Sequence, residues 1–594
     1  MTSLQLLLLI ATPVTAAAGI QSSSGNTQAP ILPYRSDLKV KRNLLGGVSP
    51  VFSTFKGDMY AGMIPAVLIN DETSSSTDFS SYMFWLFQPD QDANIETFRS
   101  DTLVIWLNGG PGCSSFTGLL TENGPVTIPK FGPGIPAPNP LSAADAPLLE
   151  NPFAWTKKTA MIYVEQPGGT GFSTASKEWT GKEAEKRTED DVAASFYAFF
   201  QNLYSVFGEE LAEKKIYVTG ESYAGMYIPA IARRFYLGNK NLGTKSKSSL
   251  SSSLHFIDIR GIAIGNGWID VDTQGPTSID YAWWHHMIDL PTRRVLHEKW
   301  DECITGMIGS IEPFHSFTTP DECGIMNAVM EASGSTFTYD VSTYDAYPAI
   351  MTDPGLTGTF FNNKDVQKAL NVKNDYWRQC VPGSGRRRLH NNPHHQMRQL
   401  ILLDQDRRSV LPWIAELLDD AKIDVLVYNG DLDLACNSQG TELALEAMNW
   451  SGKEEWRDPQ VTKWFNWISA DQPAGHTKKL KNLEFLVVYN SGHFVPINQA
   501  EHALDMIGRL LDGKSFQDVE LPRFVAGRNN AATSMGKVPP EYSRPSVESY
   551  WPPMGLTGFF LGVAVSYAIV VLFPKYRNAN ARGDYEQLSS VQIH

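Results

Sequence analysis

The sequence predicts an α/β fold built on a central, largely parallel sheet. Six short apolar runs are typical of buried strands, and longer stretches of helical or loop character separate them. Such an alternation predicts a sheet whose strands are mostly parallel. A serine, two aspartates and a histidine, residue types that often serve in catalysis, follow the third, fifth and sixth of these runs. The predicted strands are 102–107, 160–164, 215–219, 256–264, 423–428 and 483–489.

Directly after the third run, the hexapeptide 220–225 (GESYAG) has the composition of a nucleophile elbow. An elbow places a serine on a tight turn between a strand and a helix, and only small residues fit beside it. Gly220, Ala224 and Gly225 are these small residues, and Ala224 stands where the common motif has glycine. The stretch after the motif is predicted to be helical. Ser222 is therefore the candidate nucleophile.

A serine nucleophile needs a general base and a group that orients the base, and the sequence offers both. Asp431 and Asp433 follow the fifth run, and His493 follows the sixth. The order Ser, Asp, His along the chain is that of α/β-hydrolases. His493 would take the proton of Ser222, while one of the two aspartates fixes the tautomer of the imidazole. Each motif occurs alone by chance, but the three together predict a catalytic triad.

The first run leads into a glycine-rich segment, 108–115 (NGGPGCSS), which is predicted to line an oxyanion hole. Glycines let backbone N–H groups approach a developing oxyanion without interference from a side chain. A second N–H group is expected from the residue after the nucleophile. Gly110 and Tyr223 are therefore the candidate donors. A phosphate-binding loop is disfavoured because the segment lacks the Gly-Lys-Ser/Thr ending.

These motifs resemble the serine carboxypeptidase family. The resemblance rests on segments 106–115, 165–173, 220–225, 261–267, 430–433 and 492–493, and covers residues 50–512. It implies an α/β-hydrolase fold and a serine-type exopeptidase, and it selects Asp433 over Asp431 as the triad acid. It also implies that Asn108, Glu122 and Glu221 hydrogen-bond the terminal carboxylate of the substrate. Two facing carboxyl groups do not readily both ionise, so one would keep a proton to donate to that carboxylate.

The five cysteines leave one thiol unpaired if disulfides form, and the sequence alone does not fix their connectivity. The resemblance implies a Cys113–Cys380 disulfide and a free thiol at Cys436 near the site. Cys303 and Cys323 would then form a local pair. The Cys436 thiol is either functional or an inert buried group. No cofactor and no metal site are predicted, because the sequence lacks the H-x-x-E string of a metallocarboxypeptidase.

Composition and targeting signals predict a secreted-pathway enzyme with one large domain. The net charge of −14 argues against binding to nucleic acid. Residues 1–18 resemble a signal peptide, and residues 30–514 are predicted to form the catalytic domain. The interval at about 270–350 is predicted to form an inserted helical cap over the active site. Asn449 lies in the candidate N-glycosylation sequon.

The C-terminal part of the sequence predicts a membrane anchor. Residues 515–553 are rich in Pro, Ser and Asn, which is typical of an extended stalk. Residues 554–573 carry no charge and are long enough for one transmembrane helix. Basic residues follow this stretch, so residues 574–594 are predicted to be a cytoplasmic tail. Within the tail, residues 585–588 (YEQL) are similar to a tyrosine-based sorting signal.

With a predicted C-terminal membrane anchor, the chain resembles one group within the family, the membrane-anchored, pheromone-processing carboxypeptidases of the fungal late Golgi. This resemblance implies a single-pass type I protein of the late Golgi or trans-Golgi network, with a lumenal catalytic domain. The implied partners are peptide and protein precursors that end in Lys or Arg. A serine carboxypeptidase-like acyltransferase and a non-catalytic protective partner with the same fold are the alternatives. The oligomeric state stays open.

Overall fold

A computed structural model describes the part of the chain that contains the predicted site. It covers residues 31–68, 79–88, 98–128, 148–177, 187–242, 254–308, 325–334, 338–342, 355–373, 375–381 and 409–517. Within these residues, ten strands form one sheet and two short strands, β4 and β5, form a second. The strands are β1 (Met59–Pro65), β2 (Ser81–Phe87), β3 (Arg99–Leu107), β4 (Val126–Thr127), β5 (Leu149–Glu150), β6 (Thr159–Glu165), β7 (Lys215–Glu221), β8 (Asp258–Gly265), β9 (Asp424–Gly430), β10 (Trp464–Ser469), β11 (Gln472–Leu480) and β12 (Leu483–Val488).

The six predicted strands are confirmed, and they form a continuous parallel block in the order β6-β3-β7-β8-β9-β12. Strands that are buried on both faces show as near-continuous apolar runs, which is why these six could be predicted. The structure adds antiparallel strands at both edges of the block. β2 and β1 extend it beyond β6, and β11 and β10 extend it beyond β12.

Helices cover the sheet and connect its strands. The helices are α1 (Arg42–Val48), α2 (Val51–Thr54), α3 (Ser115–Thr121), α4 (Glu189–Phe207), α5 (Glu209–Ala212), α6 (Ala224–Leu242), α7 (Val271–Gln274), α8 (Thr277–Trp284), α9 (Leu290–Ile308), α10 (Ile325–Ala332), α11 (Gly355–Phe361), α12 (Lys364–Ala369), α13 (Leu411–Glu416), α14 (Ser438–Ala447), α15 (Lys453–Arg457), α16 (Val495–Asn498) and α17 (Ala500–Asp512). Short 3₁₀ turns at Arg35–Leu38 and Trp155–Lys157 and a π turn at Leu417–Ala421 complete the described helical segments.

The sheet separates two hydrophobic cores, because alternate side chains of each strand point to opposite faces. In β3, Leu103 and Ile105 pack into the core under α4 and α6. Val104 and Trp106 pack into the other core, with α3 and α17. Both sets are fully buried, so the sheet forms the middle layer of the domain and is a rigid support for loops at its edge.

Four of the helices between β8 and β9, α7 to α10, lie in the interval at about 270–350 that is predicted to form the cap. α8, α9 and α10 share a separate small core that includes Ile279, Trp300 and Val329. Leu434, from the loop after β9, belongs to the same core. The cap helices therefore pack against the loop that carries one of the predicted triad residues. Trp284, one of the tryptophans of α8, is instead 68% exposed.

The predicted transmembrane helix requires a correction to the fold class. Across the described ranges, none of the helices is both long enough and apolar enough to span a lipid bilayer. The predicted span at 554–573 lies outside the described residues, as do the predicted signal peptide at 1–18, the stalk at 515–553 beyond residue 517, and the tail at 574–594. The fold of the described residues is therefore that of an α/β-hydrolase with a large, mostly parallel sheet.

Candidate active site

Ser222 lies on the turn between β7 and α6, where the elbow motif predicts it. β7 ends at Glu221, α6 begins at Ala224, and Ser222 has a φ angle of 63°. A non-glycine residue at positive φ is strained, so the surrounding backbone must hold it. The Ser222 N–H group donates to the Gly265 carbonyl (2.9 Å), and the Trp268 N–H group donates to the Ser222 carbonyl (3.0 Å). The end of β8 thus fixes the elbow.

The glycine-rich loop after β3 packs directly on the elbow, because β3 and β7 are neighbours in the sheet. A Cβ atom at Gly220 would collide with the Leu107 carbonyl oxygen. A Cβ atom at Gly109 would collide with the Tyr223 amide nitrogen and would lie 2.8 Å from the Ser222 Cβ atom. Glycine at both positions therefore allows the two backbone segments to approach each other at the nucleophile.

The predicted Cys113–Cys380 disulfide is present, and it links the glycine-rich loop to residue 380. The Ser114 N–H group donates to the Gln379 carbonyl (2.7 Å) beside this disulfide. Gly110 has a φ angle of 115°, a conformation that other residues rarely adopt. The structure therefore fixes the backbone on both sides of Gly110. The oxyanion-binding roles of Gly110 and Tyr223 stay predictions.

His493 and Asp433 form a buried pair at the ends of β12 and β9. The His493 Nδ1 atom lies 2.7 Å from the Asp433 Oδ2 atom, and the two side chains are 2% and 0% exposed. Because a carboxylate accepts, this contact places the proton on Nδ1 and leaves Nε2 as the basic nitrogen. The pair therefore has the geometry that a general base and its orienting acid require.

The structure brings Asp433, and not Asp431, to the histidine. The Asp433 carboxylate also accepts from Asn266 Nδ2 (2.8 Å) and from the N–H groups of Ala435 (2.9 Å) and Cys436 (3.2 Å). Asp431 instead accepts a hydrogen bond at Oδ1 from a backbone N–H group, that of residue 491 (3.1 Å). These donors satisfy the buried carboxylate oxygens and fix the orientation of the Asp433 side chain. Asn266 was missed as a site residue, because an asparagine after a strand is also an ordinary turn residue.

The short segment 338–342 of the inserted region holds both loops of this pair. The His493 N–H group donates to the Tyr339 carbonyl (2.7 Å), and the Leu434 N–H group donates to the Thr338 carbonyl (3.0 Å). The Tyr339 ring lies against the His493 ring, with 4.5 Å between centroids, and the Phe494 ring packs against both. No sequence signal pointed to Tyr339, because its segment is far from each motif along the chain.

Asn108, Glu122 and Glu221 also come together. Asn108 Nδ2 donates to Glu221 Oε1 (2.8 Å) and, over 3.4 Å, to Glu122 Oε1. Asn108 Oδ1 accepts from Trp106 Nε1 (2.9 Å) and from the Gly118 N–H group (3.2 Å), which fixes the orientation of the amide. The three polar side chains are at most 5% exposed. Glu122 and Glu221 therefore form a buried carboxyl pair, and Glu221 directly precedes Ser222 at the end of β7.

Burial controls the protonation of this carboxyl pair. It raises the pKa of Glu122 to about 7, although hydrogen bonds from Glu221 and Asn108 lower it in part. The pKa of Glu221 is raised well above its ordinary value, first by burial and then by the charge of Glu122. Neither Oε2 atom accepts a hydrogen bond from any other donor among the described residues. At mildly acidic pH the pair therefore holds a proton that a ligand carboxylate could accept.

Cys436 is a free, buried thiol beside the histidine pair. Burial, and secondly the charge of Asp433, raise the pKa of the Cys436 thiol well above its usual range, so the thiol is neutral. Its sulfur and the ligand atoms of Asp433 and His493 lie within 4.8 Å of one another, a spacing that could hold a metal ion. Asp433 and His493 are hydrogen-bonded to each other, and the absence of a metal site stays a prediction.

Two remaining predictions concern residues away from the pair. Asn449 is exposed in the loop after α14, as glycosylation would require, and its modification stays a prediction. Cys323 lies outside the described residues, so the predicted Cys303–Cys323 disulfide stays a prediction as well.

The strand order, the elbow and the loops at the ends of β7, β9 and β12 define an α/β-hydrolase that carries a serine, an aspartate and a histidine in that order. Comparison with known proteins narrows this class. The family pattern of the serine carboxypeptidases matches residues 53–513, and the chain belongs to this family.

Individual relatives agree with this assignment. The chain is 29% identical over 500 residues to the pheromone-processing carboxypeptidase KEX1 of Saccharomyces cerevisiae, a match that covers 79% of this chain and 62% of that protein. It is 32% identical over 422 residues to serine carboxypeptidase 3 of Hordeum vulgare, covering 70% of this chain and 73% of that protein. The crystal structure of KEX1(Δ)p, a prohormone-processing carboxypeptidase from S. cerevisiae, matches with a TM-score of 0.64 and 27% identity over 81% of this chain and 97% of that one. All three of these relatives are named as carboxypeptidases, so the two alternative functions, an acyltransferase and a non-catalytic partner, are not favoured.

Proposed function

We propose that the protein is a serine carboxypeptidase that removes C-terminal residues, preferentially Lys and Arg, from peptide and protein precursors. The observation that carries the proposal is the buried group Asn108, Glu122 and Glu221 next to Ser222. A carboxyl pair that retains a proton can bind a carboxylate, and the terminal carboxylate is what distinguishes a chain end from an internal peptide bond. Recognition of that group directs the nucleophile to the last peptide bond.

In the proposed mechanism, Ser222 attacks the last peptide carbonyl while His493 Nε2 accepts the Ser222 proton. Asp433 stabilises the imidazolium that forms, through its bond to Nδ1. The N–H groups of Gly110 and Tyr223 stabilise the oxyanion, and His493 then returns the proton to the leaving amine. The leaving amine is the released amino acid. Water attacks the serine ester in a second, equivalent cycle and releases the shortened chain.

The proposed preference for Lys and Arg is supported by the charge around the site. Asp340 and Asp431 lie close to Tyr281, beside Asp433, and their charges add to the rise of the Tyr281 pKa that burial causes. The half-buried rings of Tyr339 and Phe494 flank His493, and the faces of aromatic rings attract cations. The net charge of −14 also favours the approach of basic peptides.

We place this activity in the lumen of the secretory pathway, in the late Golgi. The Cys113–Cys380 disulfide supports a compartment that permits disulfides, and the exposed Asn449 sequon is consistent with it. The relative from S. cerevisiae is named as a pheromone-processing carboxypeptidase, which is consistent with this placement. Co-localisation with late Golgi markers in fractionated cells tests this placement, and recovery in a compartment outside the secretory pathway contradicts it.

The proposal is tested by amino-acid release from matched peptides that end in Lys, Arg, Leu or Phe, with the same peptides amidated at the C-terminus as controls. We expect release of Lys and Arg at the highest kcat/KM and little release from the amides. Ser222→Ala is expected to lower kcat by at least about 10⁴-fold without loss of folding. Retained turnover by purified Ser222→Ala, or equal turnover of free and amidated peptides, would contradict the proposal.

A further inference from the structure

Glu189 is a buried carboxyl group at the first position of α4, and no motif includes it. It belongs to the acidic run Glu189, Asp190 and Asp191, which at the start of a helix is typical of a solvated first turn. Asp190 is exposed, but Glu189 is 0% exposed. A carboxyl group is costly to bury unless it is hydrogen-bonded, so Glu189 needs a partner inside the fold.

The Glu189 side chain contacts the residue that follows the nucleophile. The Tyr223 hydroxyl donates to Glu189 Oε1 over 2.7 Å, and Tyr223 is 6% exposed. This bond fixes the far end of the Tyr223 side chain, 34 residues away from Glu189 along the sequence. Because the Tyr223 backbone N–H group is the proposed oxyanion donor, the bond connects α4 to the oxyanion hole.

The network continues from Tyr223 to the opposite wall of the oxyanion hole. The Tyr223 and Tyr227 rings pack edge to face, with 5.1 Å between centroids. The Gly112 N–H group donates to the Tyr227 hydroxyl over 3.2 Å, so Tyr227 holds the glycine-rich loop. Glu189 is close enough to add to the rise of the Tyr227 pKa that burial causes. The two tyrosines therefore join one carboxyl group to both backbone segments that supply the proposed oxyanion donors.

We propose that Glu189 is a positioning residue for the oxyanion hole: through the Tyr223 hydroxyl it holds the Tyr223 backbone N–H group at the distance the tetrahedral intermediate requires. This inference rests on the proposed function. A donor that is displaced by a fraction of an ångström loses transition-state stabilisation, whereas binding of the substrate chain end is unaffected. Loss of the Glu189–Tyr223 bond therefore lowers kcat and leaves KM unchanged.

The test compares Tyr223→Phe, Glu189→Leu, the double variant and the conservative Glu189→Gln. Tyr223→Phe removes the hydroxyl that donates, and Glu189→Leu removes the carboxyl group that accepts. We expect each to lower kcat about 10-fold, since small misplacements in an active site cost up to about 100-fold. The double variant should lose no more than the larger single loss, and Glu189→Gln, which still offers an acceptor oxygen, should retain most of the activity.

Two readouts separate positioning from a loss of folding. Rates are expressed per active site, after labelling with a fluorophosphonate to completion, and each variant is checked by its Tm. Glu189→Leu leaves a buried hydroxyl without its acceptor and is expected to fold less stably, whereas replacing both partners by apolar groups is nearly neutral. Tyr223→Phe and the double variant therefore keep the test valid if Glu189→Leu does not fold.

The inference is overturned if kcat per labelled site stays within twofold of the wild type in Tyr223→Phe, or if the losses in the two single variants multiply in the double variant. A rise in KM confined to peptides that end in Lys or Arg would also overturn it, because Glu189 would then act on specificity. Failure of the proposed function is a separate outcome, since wild-type protein would release no C-terminal residue at all.

Discussion

Two buried polar clusters contact the glycine-rich loop, one with a pair of carboxyl groups and one with a single carboxyl group, and burial acts on both in the same way. In the first cluster, Glu122 and Glu221 lie with Asn108 beside the nucleophile. In the second, Glu165 lies at the end of β6, behind the loop. Burial raises the pKa of Glu122 to about 7 and the pKa of Glu165 to about 7. By protonation alone the two clusters cannot be told apart.

The clusters differ in how their oxygen atoms are satisfied. Both oxygens of Glu165 accept hydrogen bonds, Oε1 from the Ser114 hydroxyl and from Trp377 Nε1 (2.7 Å), and Oε2 from the Phe172 N–H group (2.7 Å). In the first cluster, the Oε2 atoms of Glu122 and Glu221 have no such donor among the described residues. A closed network stabilises the fold, whereas an open one is available to a ligand. A raised pKa alone is therefore weak evidence for function.

The largest effect that tests this comparison is expected from Glu165→Ala. The substitution leaves three buried donors without an acceptor, each of which costs about 1–3 kcal/mol. We expect the free energy of unfolding to fall by at least about 3 kcal/mol, measured by urea denaturation at pH 5. Glu165→Gln is the matched control, and since its amide oxygen still accepts, it should lose less stability. An unchanged unfolding free energy in Glu165→Ala would remove the distinction between the clusters.

The sequence predicted the parallel block and not the strands beyond it; composition and exposure explain this for β10 and β11, but not for β2, which is almost fully buried. The strands of the parallel block are buried on both faces and show as apolar runs, as β6 (TAMIYVE) does. β11 (QPAGHTKKL) contains Pro, Gly and two Lys, which is typical of an edge or a loop. β10 exposes its first three residues. Such strands form because a neighbouring strand offers backbone partners, and a single sequence does not contain that information.

The residues of the candidate site also fall into two groups, those that the sequence predicted and those that it did not. Ser222, Asp433 and His493 were predicted because each follows a buried strand within a motif that has a chemical reason. Glu122 was predicted only by resemblance, since its own surroundings suggest a surface acid. Glu189 was not predicted, because its burial depends on Tyr223, a partner that is remote along the chain and reaches it only in the folded protein.

The next largest effect is expected from the double variant Glu122→Gln and Glu221→Gln. Glutamine cannot donate the shared acid proton, and a neutral amide makes a weaker hydrogen bond to a carboxylate than a carboxylic acid does. We expect KM for peptides with a free C-terminus to rise about 10- to 100-fold, which corresponds to about 1.4–2.7 kcal/mol. KM for C-terminally amidated peptides and for ester substrates without the carboxylate should change little.

Glu165→Gln is the matched control for this measurement as well, because it alters a buried carboxyl group of similar pKa outside the site. It should leave the ratio of the two KM values unchanged. If the glutamine pair changes KM equally for all substrate types, or if Glu165→Gln changes the ratio as much as the glutamine pair does, carboxylate recognition cannot be assigned to Glu122 and Glu221.

The smallest effect, and the sharpest test of the comparison, is the pH dependence of KM. Below pH 7 the carboxyl pair keeps the proton that it donates to the substrate carboxylate. As the pH rises through the Glu122 pKa of about 7, Glu122 loses its proton and its negative charge repels the substrate carboxylate. We therefore expect KM for free peptides to rise about 10-fold between about pH 6 and pH 8, the change that one titrating group near pH 7 produces.

Only the first cluster should shape this profile, although both titrate in the same range. Glu165→Gln should keep the wild-type rise in KM, because the Glu165 carboxyl group has its partners inside the fold. The double variant at Glu122 and Glu221 should have a flat profile. Following kcat and KM independently at each pH separates changes in the chemical step from changes in substrate binding. A rise in KM that disappears in Glu165→Gln and persists in the double variant would reverse the roles of the two clusters, because the pH-sensitive contact with the substrate would then belong to Glu165.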